Sequence, residues 1–281
     1  MPDKIKVALQ GEKGAYSHIA SLNIFPNAEI KFCGTFEETF KLAKENPEYN
    51  IVVPIENSLA GRVADIHYLL PKYKLQIHSE HFQKVSHNLI GIKGSTIKDI
   101  KTVRSHAQAI GQCQKIIAQY KLRPIISADT AGSAKFISQK KDKSESALAS
   151  DLAAQIYGLE ILKKKAEDEE GNVTRFLIMG NEKKHPEFKN KKYITSCMFR
   201  VKSIPAALYK ALGGFATNGV NLCRLESFAV KNTFQQANFY VDIEGHIEAL
   251  PVQKALEELG FHTQKLDILG VYEADKFRDK K

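Results

Sequence analysis

Four times between residues 51 and 158, a short apolar segment ends in a cluster of polar residues that opens a helical pattern. Strands that alternate with helices in this way predict mainly parallel sheets with helices packed on them. Open sheets of this kind bind ligands at the carboxyl ends of their strands. One such cluster is ordinary helix capping, but four in series predict a cleft walled by two α/β lobes. The clusters are Glu56-Asn57-Ser58, Ser105-His106-Ala107-Gln108, Asp129-Thr130-Ala131-Gly132-Ser133 and Ser150-Asp151.

A fifth polar pair, Thr174 and Arg175, follows the acidic and turn-prone run 167–171. It precedes an apolar strand that we predict from Phe176 to Met179. An arginine binds a carboxylate through two parallel hydrogen bonds, and a threonine hydroxyl both donates and accepts. Taken alone, the motif is better explained as a strand start with a surface arginine after a turn-favouring Gly-Asn. The four upstream clusters favour a pair that faces the cleft and binds a small anion.

The first strand, predicted from Ile5 to Leu9, is followed by a loop with glycines at positions 11 and 14 and then by a helical pattern. Strand, glycine loop and helix form an arrangement that points backbone N–H groups at an anion. The third glycine of the dinucleotide-binding fingerprint is missing, so we do not expect a nicotinamide cofactor.

The pattern changes after a Lys- and Asn-rich linker. The elements predicted there are a strand over 194–201, a helix from Pro205 to Thr217, a hairpin of strands 220–230 and 234–243 around Lys231-Asn232-Thr233, a helix over 247–259 and a strand over 263–271. This β-α-β-β-α-β order is ferredoxin-like. It contains no nucleophile beside a base, which indicates binding. We therefore predict an α/β domain over 1–182 (lobe one about 1–82 plus 172–182, lobe two about 83–171), a linker over 183–192 and a ferredoxin-like domain over 193–275.

Charge and cysteine usage narrow the class of protein. The formal net charge of +9 comes with lysine clusters near residues 140, 164 and 191, but with no interleaved aromatic residues or helix-turn-helix pattern, so we expect no nucleic-acid partner. A basic surface can still attract an anionic metabolite. The four cysteines are far apart in apolar segments and are expected to be reduced, buried thiols. No apolar run spans a bilayer and the N-terminus lacks a signal peptide's apolar core, so we expect a cytoplasmic protein without a membrane partner.

Taken together, the motifs resemble the prephenate dehydratase family in the form that carries a C-terminal ACT regulatory domain. The resemblance covers nearly the whole chain, and the ordered series is specific although each motif alone is weak. Its pieces are Gly11–Ser17, Pro54–Ser58 with Gly61, His87–Leu89, Ser105–Ala109, Asp129–Ala131, Ala149-Ser150 with Ala153-Ala154 and Tyr157–Leu159, Asn172–Phe176, Gly219–Leu222 and Glu226-Ser227.

The resemblance implies a carbon–oxygen lyase that converts prephenate to phenylpyruvate in L-phenylalanine biosynthesis, with two lobes like a type II periplasmic binding protein. Aromatisation drives this reaction, so no cofactor or metal is expected. Thr174 takes the essential catalytic position, Arg175 would bind a substrate carboxylate and Phe176 would pack beneath the ring. His106 is the competing acid, because imidazole is the side chain suited to proton transfer near neutral pH, or it is a locally bonded helix cap. The other expected substrate contacts are Glu56, Asn57, Ser58, Gln108, Thr130 and Ala131, with Glu56 orienting Arg175 or an amide.

The ACT-like tail implies feedback by L-phenylalanine at an interface between paired copies, in a homodimer or homotetramer. The expected effector contacts are Ala206, Ala207, Leu208, Asn221, Leu222, Glu226 and Ser227. The sequence departs from the family pattern at Ala206, where glycine is usual, and at Phe228-Ala229, where Arg-Pro is usual. These departures bear on regulation and not on catalysis, so the effector or the sensitivity to it could differ from the family pattern. A third departure, Ala107 in place of proline, should affect mainly the rigidity of that helix start.

Two other functions fit parts of the same pattern. Arogenate dehydratase is the near alternative, because arogenate differs from prephenate only in carrying an amine in place of the side-chain keto group. A non-catalytic, amino-acid-sensing ligand-binding protein is the alternative from another class, and the Thr174-Arg175-Phe176 match argues against it. A nucleic-acid binder is suggested by charge alone.

Overall fold

The computed structural model describes residues 4–230 and 236–279, and the chain divides into two compact units. The first unit comprises the chain up to Leu42 together with Glu48–Val63 and His81–Phe176. The second comprises Ala43–Pro47, Ala64–Glu80 and the chain from Leu177 onward. The domain boundaries given above remain a prediction.

The first sheet has the strand order β2-β1-β3-β11-β5, and the short β4 pairs antiparallel with β3. Strand β1 runs parallel to both β2 and β3. Its residues Val7, Ala8 and Leu9 are fully buried, which accounts for a continuous apolar run instead of an alternating one. The elements of this region are β1 Lys6–Gln10, α1 Tyr16–Ile24, β2 Glu29–Cys33, α2 Phe36–Glu45, β3 Tyr49–Asn57, β4 Gly61–Arg62, α3 Ala64–Tyr73, β5 Gln76–Lys84 and β11 Val173–Gly180.

The second sheet has the order β10-β6-β9-β7-β8. Strand β7 is parallel to β8 and β9, whereas β6 is antiparallel to β9 and β10. The elements here are β6 Asn88–Ile92, β7 Thr102–His106, α4 Ala107–Gly111, α5 Gln114–Gln119, β8 Arg123–Ser127, α6 Thr130–Lys140, β9 Glu145–Ala149, α7 Asp151–Ile156 and β10 Leu159–Lys163.

Both sheets follow one connection pattern. In each, the first strand of a parallel set (β1 or β7) lies between the second and the third, and the next neighbour is a strand from outside that set (β11 or β6). An edge strand (β5 or β10) completes the sheet. The predicted fold class, α/β with two lobes of the periplasmic-binding-protein type, is confirmed.

The C-terminal region forms a third sheet of order β13-β14-β12-β15, in which every pair is antiparallel. Its two helices pack on a core that includes Phe199, Phe215 and Leu259. The β-α-β-β-α-β order confirms the ferredoxin-like prediction, while Lys231-Asn232-Thr233 and the predicted strand start at Phe234 lie outside the described residues. The elements are β12 Tyr193–Val201, α8 Ala207–Thr217, β13 Leu222–Ala229, β14 Ala237–Glu244, α9 Leu250–His262, β15 Thr263–Glu273 and a 3-10 turn Lys276–Asp279.

The helical pattern that the cluster Ser105-His106-Ala107-Gln108 opens forms two helices, α4 and α5, separated at Gln112 and Cys113. The break has a partner distant in sequence. The carboxylate of Asp168 accepts hydrogen bonds from the backbone N–H groups of Gln114 (2.8 Å) and Lys115 (2.9 Å), and thus caps the start of α5. The Asp168 N–H in turn donates to the Gln112 carbonyl at 2.7 Å.

The four cysteines are free thiols, as expected. Three are buried, but Cys223 is only half-buried, which corrects that part of the prediction. Burial raises the pKa of the Cys113 thiol to about 12, and that of Cys197 is also raised. No helix in the described part of the chain is long and apolar enough to cross a membrane.

Candidate active site

Asn57, the last residue of β3, holds the turn into β4 and contacts Thr174. Its side-chain oxygen accepts hydrogen bonds from the backbone N–H groups of Leu59 (3.0 Å) and Ala60 (2.9 Å). This is the local turn bonding that asparagine favours. Its amide nitrogen donates to Thr174 Oγ1 at 2.9 Å. The Thr174 oxygen is therefore an acceptor towards Asn57, and this bond does not use the proton of the hydroxyl.

Arg175 forms an ion pair with Glu56, the role expected for this carboxylate from the sequence. Arg175 Nη1 lies 3.1 Å from Glu56 Oε1, and the side chains are 2% and 21% exposed. A guanidinium stays charged at any physiological pH, and a buried charge needs a compensating partner. Glu56 supplies that compensation.

Thr174 and Arg175 lie inside β11, which begins at Val173, and not before the strand as predicted. Successive side chains of a strand point to opposite faces of the sheet. The contacts follow this alternation, since Thr174 bonds Asn57 while Arg175 bonds Glu56, the preceding residue of β3. The hydroxyl and the guanidinium thus leave β11 on opposite faces of the strand, and their roles in substrate binding remain a prediction. Phe176 is 2% exposed and follows on the Thr174 face.

Ser58 fastens the β3–β4 turn to the start of β11. Its backbone N–H donates to the Val173 carbonyl at 2.8 Å, and its hydroxyl accepts from the Val173 N–H at 3.0 Å. The same hydroxyl donates to the Gly171 carbonyl at 3.2 Å. These bonds fix the backbone at Gly171 and Val173, next to Thr174.

The second group of predicted residues lies at one edge of the second sheet. Because β7 and β8 are parallel and His106 pairs in register with Ser127, the helices that follow them start at the same edge. His106 and Gln108 stand at the start of α4, and Thr130 and Ala131 at the start of α6. His106 Nδ1 accepts from the Gln108 N–H at 3.3 Å, so its locally bonded role as a helix cap is present.

The glycine loop after β1 packs against helix α7. The Gly14 carbonyl accepts from the hydroxyl of Ser150 at 2.6 Å, and the Gly14 N–H donates to His18 Nδ1 at 3.0 Å. Gly14 has φ +91°, and a Cβ there would lie 2.6 Å from Ala153 Cα. This close approach accounts for the glycine. The Gly14 N–H is therefore used in a hydrogen bond to helix α1, whereas N–H groups of this loop were expected to face an anion.

Asn172 and Gln112 were not selected from the sequence, yet they connect the two groups of residues. Asn172 Oδ1 accepts from Asn57 Nδ2 at 2.6 Å, and Asn172 Nδ2 donates to Gln112 Oε1 at 2.8 Å. Asn172 precedes β11 of the first sheet, whereas Gln112 lies between α4 and α5 of the second lobe. The available signal was the position of Asn172, two residues before Thr174. Gln112 becomes noticeable only once the helix break is known.

The predicted effector residues stand on two elements of the ferredoxin-like region. Ala206, Ala207 and Leu208 are at the start of α8 and line a groove of about 560 Å³ formed by residues 201–209. Ala206 has φ +57°, a left-handed conformation that favours glycine. The others, Asn221, Leu222, Glu226 and Ser227, lie just before or within β13.

Phe228, one of the departures from the expected motif, is buried against helix α3. Its ring contacts His67 at 5.7 Å and Tyr68 at 5.5 Å between centroids, both edge-on. Glu226, two residues earlier on the same strand, pairs with Arg224 at 2.6 Å. The phenylalanine therefore packs on α3, and Ala107, another departure, is simply the first residue of α4.

Comparison with known proteins identifies the family. The prephenate dehydratase family profile matches residues 7–184. A protein of Komagataeibacter europaeus named bifunctional N-acyl-homoserine lactone acylase/prephenate dehydratase is 43% identical over 98% of both chains. Arogenate dehydratase/prephenate dehydratase 1 of Arabidopsis thaliana is 35% identical over 98% of this chain and 74% of its own. The crystal structure of prephenate dehydratase from Arthrobacter aurescens in complex with L-Phe aligns over 99% of this chain and 92% of that one, with a TM-score of 0.89 and 25% identity. The chain belongs to the prephenate dehydratase family and is a carbon–oxygen lyase.

Proposed function

We propose that this enzyme converts prephenate to phenylpyruvate by decarboxylating dehydration, on the route to L-phenylalanine. The observation that carries the proposal is the Thr174 hydroxyl, held by Asn57 through a hydrogen bond that does not use the hydroxyl's own proton. In the reaction the ring carbon–carboxylate bond breaks and carbon dioxide leaves. Its electron pair aromatises the ring as the ring carbon–oxygen bond breaks. The departing hydroxyl takes up one proton and leaves as water.

Departure of the hydroxyl is the step that requires the protein, because hydroxide leaves poorly unless it is protonated as the bond breaks. Thr174 is the proposed donor. A threonine hydroxyl is too weak an acid to give up its proton outright, so it polarises the leaving oxygen through a hydrogen bond or passes on a proton from a neighbour. Aromatisation supplies the driving force, so the proposal includes no cofactor or metal.

The proposed substrate contacts come from the two groups of residues that the Asn172–Gln112 hydrogen bond connects, one on the first sheet and one on the second. Asn57 and Ser58 are on the first side, with Arg175 and Phe176 in β11. His106, Gln108, Thr130 and the Ala131 N–H are on the second. Since Arg175 is almost fully buried and paired with Glu56, its proposed role is a fixed positive charge near the substrate carboxylates.

Arogenate is the alternative substrate, and relatives named arogenate dehydratase support testing it. Purified enzyme incubated separately with prephenate and arogenate is expected to release phenylpyruvate from the first, with a kcat/KM higher than that for formation of phenylalanine from the second. Faster conversion of arogenate would reverse the assignment. No product from either would remove the proposed function.

The ferredoxin-like region is proposed to be an ACT domain that binds L-phenylalanine and pairs with a second copy in a homodimer or homotetramer. Support comes from its topology and from the L-Phe complex of the Arthrobacter aurescens enzyme. The groove at the start of α8, with Asn221 and Glu226 of the neighbouring strand region, is the proposed contact area. A product that binds one conformation more tightly shifts the population towards it.

A second candidate activity is hydrolysis of N-acyl-homoserine lactones, because the Komagataeibacter europaeus relative carries that name and matches 98% of this chain. The same preparation, given an N-acyl-homoserine lactone, would release homoserine lactone and the fatty acid. Release that persists in the Thr174→Ala enzyme would assign this activity to other residues. No release would restrict the enzyme to dehydration.

A further inference from the structure

A chain of hydrogen-bonded side chains continues beyond Asn57 and reaches His87. Asn57 Nδ2 donates to Thr174 Oγ1 and to Asn172 Oδ1, and Asn172 Nδ2 donates to Gln112 Oε1. Gln112 Oε1 also lies 3.2 Å from His87 Nε2. The chain therefore begins at the proposed catalytic hydroxyl in the first sheet and ends beside β6 of the second sheet.

The direction of this chain is set at Asn57. Oxygen and nitrogen of an amide side chain are distinguished by their hydrogen-bond partners. The partners of one Asn57 atom are the backbone N–H groups of Leu59 and Ala60, which can only donate. That atom must be the oxygen. The nitrogen of Asn57 consequently faces both Thr174 and Asn172.

The direction then propagates from one residue to the next. Asn172 must present its oxygen to Asn57 and its NH₂ group to Gln112. Gln112 must present its oxygen to Asn172, and the same oxygen faces His87. His87 Nε2 must therefore carry a proton. Any reversal of one amide would place two donors or two acceptors against each other.

His87 is held rigidly at the far end. Its ring packs edge-on against Tyr16 at 5.6 Å, Nδ1 lies 3.1 Å from the Tyr16 hydroxyl, and its backbone N–H donates to Glu167 Oε2 at 2.9 Å. Burial lowers the pKa of His87, although Gln112 and the Glu167 carboxylate act in the opposite direction. A neutral ring with its proton on Nε2 satisfies the direction of the chain.

We infer that Gln112 and His87 are positioning residues for Thr174, acting through Asn172 and Asn57 on the orientation of its hydroxyl. The inference rests on the proposed function. With Asn57 fixed from both sides, Thr174 Oγ1 accepts one hydrogen bond and its proton points away from Asn57, to where the leaving oxygen of the substrate would lie. The chain also links the two sheets, so it assembles only when they are correctly placed within this unit.

The test replaces the acceptor atom of Gln112. Gln112→Met keeps the side-chain length but has no oxygen to accept from Asn172 and His87. Gln112→Glu keeps an oxygen that accepts from both. Gln112→Met is expected to lower kcat for prephenate by about 10²-fold, the effect of a misplaced catalytic group. KM should change by less than about threefold, because the lost interaction acts in the transition state. Gln112→Glu should restore kcat to within about tenfold of the wild type, although its charge raises KM.

Gln114→Met is the matched control, because Gln114 is an exposed glutamine two residues along whose side chain donates to the Ile110 carbonyl. It should leave kcat unchanged. Equal losses in the Met and Glu variants of Gln112, or a loss confined to KM, would overturn the inference. Wild-type enzyme without prephenate turnover would instead refute the proposed function. If the Gln112→Met protein melts well below the wild type, the test uses His87→Phe, which keeps an aromatic ring and removes Nε2–H. The His87→Phe enzyme should also show a lower kcat. A wild-type kcat in that variant would overturn the inference.

Discussion

Replacing Thr174 by alanine is expected to lower kcat for prephenate by about 10²–10⁴-fold, the usual contribution of a positioned acid or base. The substitution removes the one hydroxyl that Asn57 orients. It should not disturb the fold, because Asn57 Nδ2 retains Asn172 Oδ1 and the Val173 carbonyl as acceptors. Formation of phenylpyruvate measures the activity, and a thermal melt of each variant checks folding.

His106→Asn is the comparison that separates the two candidate acids. The imidazole of His106 caps α4 by accepting from the Gln108 N–H, and an asparagine oxygen can accept the same bond. The helix start should therefore survive while the titratable group is lost. We expect a loss well below that of Thr174→Ala. Full turnover in Thr174→Ala together with inactive His106→Asn would transfer the role of the acid to His106.

The points where a strand ends and a helix starts could be predicted from the sequence, because neighbouring residues determine them. A Ser, Asp or His that caps a helix accepts a hydrogen bond from an N–H two or three residues later, so the sequence alone indicates it. His106, Asp129 and Ser150 are examples. The repetition of this pattern along the chain was enough to predict the α/β class. The ferredoxin-like order was equally clear, since its apolar segments are long and well separated.

What the sequence did not reveal depends on partners distant in the chain. The break between α4 and α5 is capped by Asp168, more than fifty residues away. Strand β5 was missed because it combines polar and apolar residues without a clear alternation. The start of β11 was placed too late, which also concealed that Thr174 and Arg175 point to opposite faces. Gln112 and Asn172 were missed for the same reason, because their contact joins two sheets.

Phe228 departs from the motif expected after Glu226-Ser227, and its side chain serves in packing. At the position where the resemblance predicts an arginine, this chain buries the ring of Phe228 against His67 and Tyr68 of α3. Strand β13 and helix α3 both belong to the second compact unit, so the Phe228 ring contributes to the packing of that unit.

Gly270→Ala is expected to have the largest effect on stability among these changes. Gly270 of β15 lies against Ile77 of β5, and a Cβ at this position would be 2.2 Å from the Ile77 carbonyl oxygen and 2.9 Å from its carbonyl carbon. Backbone atoms cannot rotate aside as a flexible side chain can, so the two strands must separate. Overpacking of this kind costs about 1–3 kcal/mol and occasionally more. The midpoint of urea unfolding should fall accordingly.

Gly213→Ala is the matched control, because Gly213 lies inside helix α8 and nothing is within 4 Å of its added Cβ. Alanine there should stabilise the folded protein by up to about 1 kcal/mol.

The same two variants test regulation, since β5 continues from its contact with β15 to its place beside β11, the strand of Thr174. If the ferredoxin-like region acts through this contact, inhibition by L-phenylalanine should weaken in Gly270→Ala and persist in Gly213→Ala. Unchanged unfolding in Gly270→Ala would contradict the close strand contact, and unchanged inhibition in a destabilised Gly270→Ala would place the regulatory path elsewhere.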